Sequence, residues 1–187
     1  MTKRIQIAAL FSIGVLAGVI AAYYGMENRS AIAAGGVDHS GECIIASGYL
    51  DSSTGATYML DCSTGQLVAV VPSSKKPRIW GTFTTNVTKD LRSFIATTKV
   101  DAFGQPLAMP DAPNYIMTTT PFYVRGKVGS FSWPTEAVSI VETKTGILMM
   151  YYIRYNFTRY QQDVPEEGDL VGYCAKQINP KTVRKML

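Results

Sequence analysis

The strongest constraint on this chain is the stretch from Ile5 to Met26, which has no charged residue and directly follows the basic pair Lys3–Arg4. A helix of about 20 apolar residues crosses the hydrocarbon core of a bilayer, and it pairs all its backbone groups internally. Tyr23 and Tyr24 lie near the end of the stretch, where aromatic rings favour the interface. Positive charge tends to stay in the cytoplasm. Residues 1–26 are therefore predicted to form one transmembrane helix, with the main domain outside.

A cleaved signal peptide is the alternative interpretation of the same stretch. The apolar core of a signal peptide usually spans about 7–15 residues, which is shorter than this one. Small residues that could precede a cleavage site occur at Ala21–Ala22 and at Ala31–Ala33. Bulky residues precede the first site, and the second lies far beyond the apolar run, so a retained anchor is favoured.

Small residues recur every fourth position in the apolar stretch, at Gly14, Gly18 and Ala22. This spacing places them on one helix face, where they let a second helix backbone approach closely in lipid. The pattern predicts a helix–helix contact, within an oligomer or a larger membrane complex. The alternative is that Gly and Ala are simply common in membrane spans.

The rest of the chain divides by composition into three parts. Residues 27–40 are rich in Ala, Gly and Ser and are predicted to be a tether. Residues 41–178 are long enough for a single domain with its own core, and residues 179–187 form a basic tail. The net charge of +4 is mild and shows only short basic runs. Nucleic acid is therefore not an expected partner.

The three cysteines are Cys43, Cys62 and Cys174, and none belongs to a C-x-x-C motif. A hairpin centred near Ser52–Ser53 would place Cys43 and Cys62 opposite each other. An oxidising compartment outside the cytoplasm permits them to form a disulfide. Cys174 would then be buried as a small apolar residue or would pair with another chain.

Strand patterns dominate residues 41–178. A meander of three strands is predicted over about 43–72, with a possible short strand at Trp80–Phe83 and a short helix over 88–95. Strands and turns over about 115–158 predict a second meander, whose last strand turns Met149, Tyr151, Ile153, Tyr155 and Phe157 toward the core. Residues 161–169 are predicted to be an acidic loop, and 180–187 a helical tail. The expected fold is mainly β: a two-meander antiparallel domain with one or two short helices.

An internal repeat links the two meanders. Residues 56–67 and 137–148 align without a gap, and each has an acid followed by two residues and Thr-Gly. The acid can accept bonds from backbone N–H groups of the turn, and the glycine closes it. The predicted turn residues are Asp61, Gly65, Glu142 and Gly146. Each hairpin alone is too small to bury its apolar face, so we expect the two meanders to share one core.

This hairpin resembles the repeat of quinoprotein-type β-propellers, whose blades have a similar aspartate-x-x-Thr-Gly turn. A propeller needs about four to eight blades, and two units cannot close one. Over residues 44–156 the chain is more similar to small anchored or secreted proteins of planctomycete-like bacteria. These also pair two such hairpins with a tyrosine-rich last strand. The resemblance implies a fold and a bacterial location, but no activity, cofactor or site residue.

Residues capable of chemistry are sparse. The only histidine, His39, lies in the predicted tether beside Asp38 and Glu42, with a spacing that matches no closed metal site. Glu166, Glu167 and Asp169 are interpreted as a solvated acidic cluster, since they lack the spacing of a calcium loop. No phosphate-binding glycine loop occurs. We therefore expect no catalytic residue, no metal and no cofactor.

These observations favour a structural or accessory protein over an enzyme. The expected location is the bacterial inner membrane, crossed once, with the N-terminus in the cytoplasm and the β domain in the periplasm. The expected partners are the membrane and other subunits of a complex, or further copies of the chain. A secreted ligand-binding or self-assembling β module is the first alternative, and a hydrolase is the second.

Overall fold

The computed structural model describes residues 37–40, 42–51, 53–101, 104–122, 131–132 and 134–178. The predicted anchor over 1–26, its residues Gly14, Gly18 and Ala22, most of the tether, and the tail over 179–187 lie outside these ranges. Within the described part of the chain, no helix is both long enough and apolar enough to span a bilayer. The last four tether residues are not a linker, because they form a strand.

The protein is mainly β, as predicted. The strands are β1 (Val37–Ser40), β2 (Cys43–Tyr49), β3 (Gly55–Asp61), β4 (Gln66–Pro72), β5 (Ile79–Asn86), β6 (Tyr115–Pro121), β7 (Phe131–Ser132), β8 (Glu136–Glu142), β9 (Ile147–Ile153), β10 (Tyr155–Asn156) and β11 (Glu166–Gln177). The helices are α1 (Val87–Thr98) and α2 (Phe157–Gln161).

Two four-stranded antiparallel meanders build one sheet. The first runs β2-β3-β4-β5, the second β6-β8-β9-β11, and the order across the sheet is β1-β2-β3-β4-β5-β11-β9-β8-β6. The meanders join through β5 and the first third of β11, the one parallel pair among the described strands. The sheet curls until its eight main strands nearly close, with β6 returning to β2. The predicted two meanders therefore exist, with one more strand in each.

Alternating side chains from both meanders fill a single core. In β3, Ala56, Tyr58 and Leu60 are buried while Thr57 and Met59 are exposed, as expected for strands with one face toward the interior. The largest fully buried side chains include Trp80, Tyr58, Tyr115, Tyr151 and Phe83. Both meanders thus contribute to one core, as expected from the repeat.

Helix α1 covers one end of the curled sheet. The Asn86 side chain caps it by accepting a bond from Lys89 N, and Val87, Leu91 and Ile95 are buried. Two hydrogen bonds fasten it to the second meander: Tyr151 Oη donates to Asp90 Oδ2 at 2.9 Å, and the Thr88 and Tyr115 hydroxyls lie 2.8 Å apart. Burial raises the pKa of Tyr151, and the nearby Asp90 carboxylate raises it further.

Aromatic rings close the opposite end. Trp80 contacts Tyr160 edge to face with ring centroids 4.9 Å apart, and Tyr155 lies 6.2 Å from Trp80. Burial raises the pKa of Tyr155 to about 12. The predicted last strand extended to Thr158, but Phe157 and Thr158 belong to helix α2, which also contains Tyr160. Its Asn156 cap accepts bonds from Thr158 N and Arg159 N, which ends the strand and starts the helix.

The acidic loop predicted over 161–169 is shorter than expected, because only residues 162–165 lie outside helix and strand. Glu166 to Asp169 form the start of β11 and pair with Gly81 to Thr84 of β5. The predicted short strand at Trp80–Phe83 is the middle of the full strand β5, which leads directly into α1. Of the residues predicted to face the core along the last strand, Met149, Tyr151, Ile153 and Tyr155 are buried, and Phe157 is partly buried in α2.

The predicted facing of Cys43 and Cys62 is also wrong, by one residue of register. Cys43 lies opposite Asp61, and Cys62 N donates instead to Glu42 O at 2.8 Å. Adjacent strand residues point to opposite faces of a sheet, and Cys62 packs on the core while Cys43 shares the outer face with Ile45. All three cysteines are free. Burial raises the pKa of the Cys62 thiol, and Cys43 and Asp61 raise it further.

Candidate functional site

The two repeated turns lie at the α1 end of the sheet, and each is held by its acid. In the first, Asp61 Oδ1 accepts from Ser63 N at 2.8 Å, from Ser63 Oγ at 2.6 Å and from Thr64 N at 3.2 Å. These hydrogen bonds lower the pKa of Asp61 to about 2. Gly65 closes the turn with φ 72°, and its N–H donates to Asp61 O at 2.8 Å.

The second turn uses the same plan with a longer acid. Glu142 Oε2 accepts from Thr145 N and Thr145 Oγ1, both at 2.7 Å, and Oε1 accepts from Asn114 N at 3.0 Å. Gly146 has φ 70° and donates to Glu142 O at 2.8 Å. The extra reach of Glu142 ties the turn to the residue that precedes β6.

The two hairpins turn opposite sides of their strands toward the core. In the first hairpin Leu67 is fully buried, while its counterpart in the second, Leu148, is half-buried on the outer face. Val68 is half-buried on the outer face, and its counterpart Met149 is buried. This inversion leaves large apolar side chains of the second hairpin on the outside of the molecule.

These outward side chains form rows across β6, β8, β9 and β11. One row is Ile116–Val141–Leu148 and ends on β11 at the exposed Lys176, and the next is Thr118–Ser139–Met150–Cys174. We call this surface the outer apolar face. A groove of about 340 Å³ runs along it, lined by Ile116, Met117, Thr118, Thr120, Ser139, Val141, Leu148 and Met150. None of these lining residues is charged.

An aromatic cluster continues the outer apolar face toward the other end of the sheet. Phe122 stacks on Tyr152 with ring centroids 5.4 Å apart, and Tyr173 meets Phe122 edge to face at 4.9 Å. Tyr173 sits at an irregularity in β11 between Gly172 and Cys174, which turns its ring outward, so that it is 56 % exposed. Such amphipathic rings are common at protein interfaces.

The first meander has a comparable outer groove of about 450 Å³ with a different character. It is lined by Glu42, Cys43, Met59, Asp61, Ser63, Gln66 and Val68, and thus contains two carboxylates. Desolvating a charged group without a partner is costly. The uncharged groove of the second meander is therefore the better candidate for a contact that excludes water.

The basic run Lys75–Arg78 is held against the molecule rather than presented to a ligand. Arg78 Nη2 donates to Asp163 Oδ2 at 2.9 Å, Ser73 Oγ donates to Asp163 Oδ1 at 2.6 Å, and Lys75 Nζ donates to Gln161 O. The bond from Ser73 and the neighbouring Arg78 lower the pKa of Asp163. This cluster fastens the β4–β5 loop to the end of α2.

The residues considered for chemistry do not come together. Among the described residues, no group of three His, Cys, Asp or Glu side chains could hold a metal ion. Glu166 accepts from Asn156 N through both carboxylate oxygens, at 3.2 and 3.1 Å, whereas Glu167 and Asp169 are exposed. His39 lies in β1, opposite Ile44.

No family model, curated protein or solved structure matches this chain. Sequence reasoning named the turn residues but missed the outer apolar face. The signal was present in β9, Ile147–Ile153, which reads Ile-Leu-Met-Met-Tyr-Tyr-Ile without a polar alternate position. A strand that is apolar on both sides is covered on both sides or exposes apolar surface.

Proposed function

We propose that this protein is a structural or accessory subunit of a membrane complex, anchored by its N-terminal segment, with its β domain outside the cytoplasm. The domain docks on a partner subunit through the outer apolar face. It performs no catalysis of its own. The observation that carries this proposal is the groove that crosses β6, β8 and β9 without a charged lining residue.

Two properties of the face support docking over a purely internal role. First, large side chains are only half-buried there, among them Ile116, Val141, Leu148 and Met150. Clustered exposed apolar residues typically mark interaction sites, whereas scattered ones need no explanation. Second, Tyr173 and its aromatic neighbours extend the face, and aromatic residues are enriched where interfaces bury their centre.

The test is gentle detergent extraction of the native protein, followed by size separation and mass spectrometry of the co-migrating species. We expect the wild type in a large complex of defined composition with residues 1–26 still attached. Leu148→Lys, which places a charge in the middle of the face, is expected to leave the complex and migrate alone. Recovery of the wild type alone, without its apolar segment, would overturn the proposal.

Val68→Lys is the matched control for this experiment. Val68 is half-buried on the outer face of the first hairpin, as Leu148 is on that of the second. Both variants should unfold at similar urea concentrations. If Val68→Lys and Leu148→Lys leave the complex equally, the outer apolar face has no special role.

Self-assembly is a second candidate, favoured by the same face. The groove of this face has no charged lining residue, so it can pair with its own copy without like-charge repulsion inside the groove, and a twofold contact requires such self-complementarity. The exposed Cys174 lies in one of the rows of the face. In this case the extracted species would contain only this chain at an integral multiple of its mass.

A further inference from the structure

Strand β11 changes its neighbours along its length. Its first residues, Glu166–Asp169, pair with β5 on one side, and Leu170–Gln177 pair with β9 on the other. Strand β5 ends at Asn86, where α1 begins. No described strand pairs with the β5 side of β11 after Asp169. We call this unpaired side of Gly172–Gln177 the β11 edge.

The backbone groups on the β11 edge belong to alternate residues. Ile178 N donates to Gly146 O at the end of the β9–β11 ladder. Every second residue back from Ile178 therefore bonds to β9, which includes Lys176 and Cys174. The N–H and C=O groups of Ala175 consequently point away from β9. No described residue bonds to them.

The β11 edge is accessible. The residues from Gly172 to Lys176 are all exposed, and Tyr173 is 56 % exposed. A groove of about 230 Å³ lies between the edge and the first turn of α1, and its walls include Gly172, Ala175 and Asp90. Helix α1 thus leaves room beside the edge. An exposed, unpaired strand edge is a ready template for another strand.

We propose that the β11 edge pairs with the β11 edge of a second copy of this chain, so that the two strands run antiparallel across a twofold axis at Ala175. A twofold contact uses the same surface of both copies, and strand pairing draws its affinity from main-chain hydrogen bonds. The inference goes beyond the proposed function, because the groove lined by Ile116 and Leu148 stays free for a partner subunit.

The position of the axis follows from the charge on the edge. With Ala175 on the axis, Lys176 of one copy lies opposite Cys174 of the other. An axis at Lys176 would instead place two ammonium groups directly opposite each other, which is destabilising. The axis at Ala175 joins the outward backbone groups of both strands and keeps the two lysines apart.

The charges beyond the edge also favour a second copy as the occupant. Strand β11 begins with acids, of which Glu167 and Asp169 are exposed. The chain after Gln177 contains three basic residues and no acid. Antiparallel pairing leads the basic end of one copy toward the acidic start of the other. Such complementary charges steer association and fix its register.

A disulfide cross-link tests the register in the full chain, purified in a mild detergent. Lys176→Cys places a thiol opposite Cys174 of the second copy, where Cα atoms lie about 4.5 Å apart in a non-hydrogen-bonded pair. This distance suits a disulfide. Oxidation with copper phenanthroline should convert most of this variant into a covalent dimer, with positions 174 and 176 linked in its peptide map.

Two controls accompany the cross-link. In the wild type the two Cys174 thiols lie diagonally rather than opposite each other and should stay reduced. The double variant Cys174→Ser with Lys176→Cys should also stay uncrosslinked, because its two introduced thiols are diagonal as well. Absence of the 174–176 link in Lys176→Cys would overturn the inference, as would links through Cys43 or Cys62 alone.

A proline on the axis tests the backbone bonds. Ala175→Pro removes an N–H that does not bond to β9, and edge strands tolerate proline at such positions. Because of the twofold axis, one substitution removes a bond from each copy. The dissociation constant of the dimer, measured by sedimentation in detergent, should rise roughly tenfold or more. A dimer that Ala175→Pro leaves unchanged would be held elsewhere in the chain and would overturn the inference.

Leu148→Lys separates the β11 edge from the outer apolar face. This variant should leave the dissociation constant of the dimer unchanged, although it is expected to release the partner subunit. A dimer that Leu148→Lys weakens and Ala175→Pro does not would assign self-association to the outer apolar face. A monomeric wild type would overturn the inference and leave the extraction test of the proposed function unaffected.

Amide hydrogen exchange supplies a measurement without any substitution. The Ala175 amide should exchange roughly 100-fold more slowly in the dimer than in the diluted monomer. The amides of Cys174 and Lys176 bond to β9, so they serve as internal references and should be slow in both states. Slow exchange of Ala175 at every dilution would mean that the chain covers its own β11 edge, which would overturn the inference.

Discussion

The hairpins β3–β4 and β8–β9 end in the same acid-x-x-Thr-Gly turn but bury opposite sides of their strands. In the first, Asp61 lies on the outer side, and its carboxylate accepts hydrogen bonds from Ser63 and Thr64 of its own turn. In the second, Glu142 is fully buried and also holds Asn114. The turn sequence therefore determines how the chain reverses. Which alternating positions of the flanking strands carry the core side chains determines the side that faces inward.

The difference has a consequence for the surface. Buried and outward positions alternate along the first hairpin, and its outer side combines the polar residues Thr57, Asp61 and Gln66 with the apolar residues Met59, Val68 and Val70. The second hairpin is apolar at almost every position, which lets it supply the core and the outer apolar face together. The first hairpin therefore contributes mainly to the core, whereas the second contributes to the core and to the candidate interface.

The largest expected loss of stability comes from removing one of the two turn acids, Glu142. Glu142→Ala removes the acceptor of three hydrogen bonds in a fully buried site and should lower the free energy of unfolding by about 4 kcal/mol. Asp61→Ala should cost clearly less, because water replaces the lost acceptor at the surface. Urea unfolding of both variants tests this. Equal losses would contradict the assignment of one acid to the interior and one to the exterior.

The next largest loss of stability is expected when the turn glycines are replaced by alanine. A Cβ at Gly65 would lie 2.6 Å from Thr88 Cβ and 2.9 Å from Thr88 N at the start of α1. Gly65→Ala combines this collision with an unfavourable positive φ and should cost about 3 kcal/mol. For Gly146→Ala the positive φ is the expected cause of destabilisation, and the free energy of unfolding should fall by about 1 kcal/mol. Thermal unfolding of both variants would show the order, and a larger loss for Gly146→Ala would refute it.

Removing the hydroxyl group of a buried tyrosine is expected to change the free energy of unfolding by a smaller amount, with opposite signs in the two meanders. Tyr58 Oη is buried without a hydrogen-bond partner among the described residues, whereas Tyr151 Oη donates to Asp90. Tyr58→Phe should raise the free energy of unfolding by about 1 kcal/mol, and Tyr151→Phe should lower it by about as much. Urea midpoints with unchanged slopes would establish both signs. A loss for Tyr58→Phe would imply a bound polar group inside the sheet.

The smallest effect is the pH dependence of the first turn. The pKa of Asp61 is about 2 in the folded protein against an ordinary value of 3.8. A carboxyl whose folded pKa is depressed stabilises the protein above its unfolded pKa, and this contribution disappears as the pH falls from about 4 to about 2. Carboxyl carbon shifts followed by NMR should give the Asp61 midpoint near 2. A midpoint near 4 would show that the turn bonds do not hold the charged form.

The sequence allowed the local features to be predicted. The repeat predicted both turns and their glycines, and the alternation in the last strand predicted the burial of Met149, Tyr151, Ile153 and Tyr155. These features depend on neighbours in the chain. The outer apolar face was not predicted, because Ile147–Ile153 is apolar at every position and its pattern does not show that the side opposite the core is exposed.

The other incorrect predictions concern residues whose structure depends on pairing with distant parts of the chain. Glu166 to Asp169 were predicted to be a solvated loop, yet these residues form a strand because β5 offers a parallel edge 85 residues earlier in the sequence. The facing of the cysteines failed through a single residue of register, set by the Leu50–Thr54 bond that closes the β2–β3 turn. The near closure of the sheet depends on how all eight main strands curl together, which no local pattern specifies.

Strand β11 also determines when the molecule can finish folding. It is the only described strand whose backbone ladders join the two meanders, because it pairs with β5 through Glu166–Asp169 and with β9 through Leu170–Gln177. Contacts between such distant parts of a chain form slowly. During synthesis each meander can begin to assemble as it emerges, but the parallel β5–β11 pair forms only after β11 has been made. The sheet order β5-β11-β9 is therefore completed later than either hairpin.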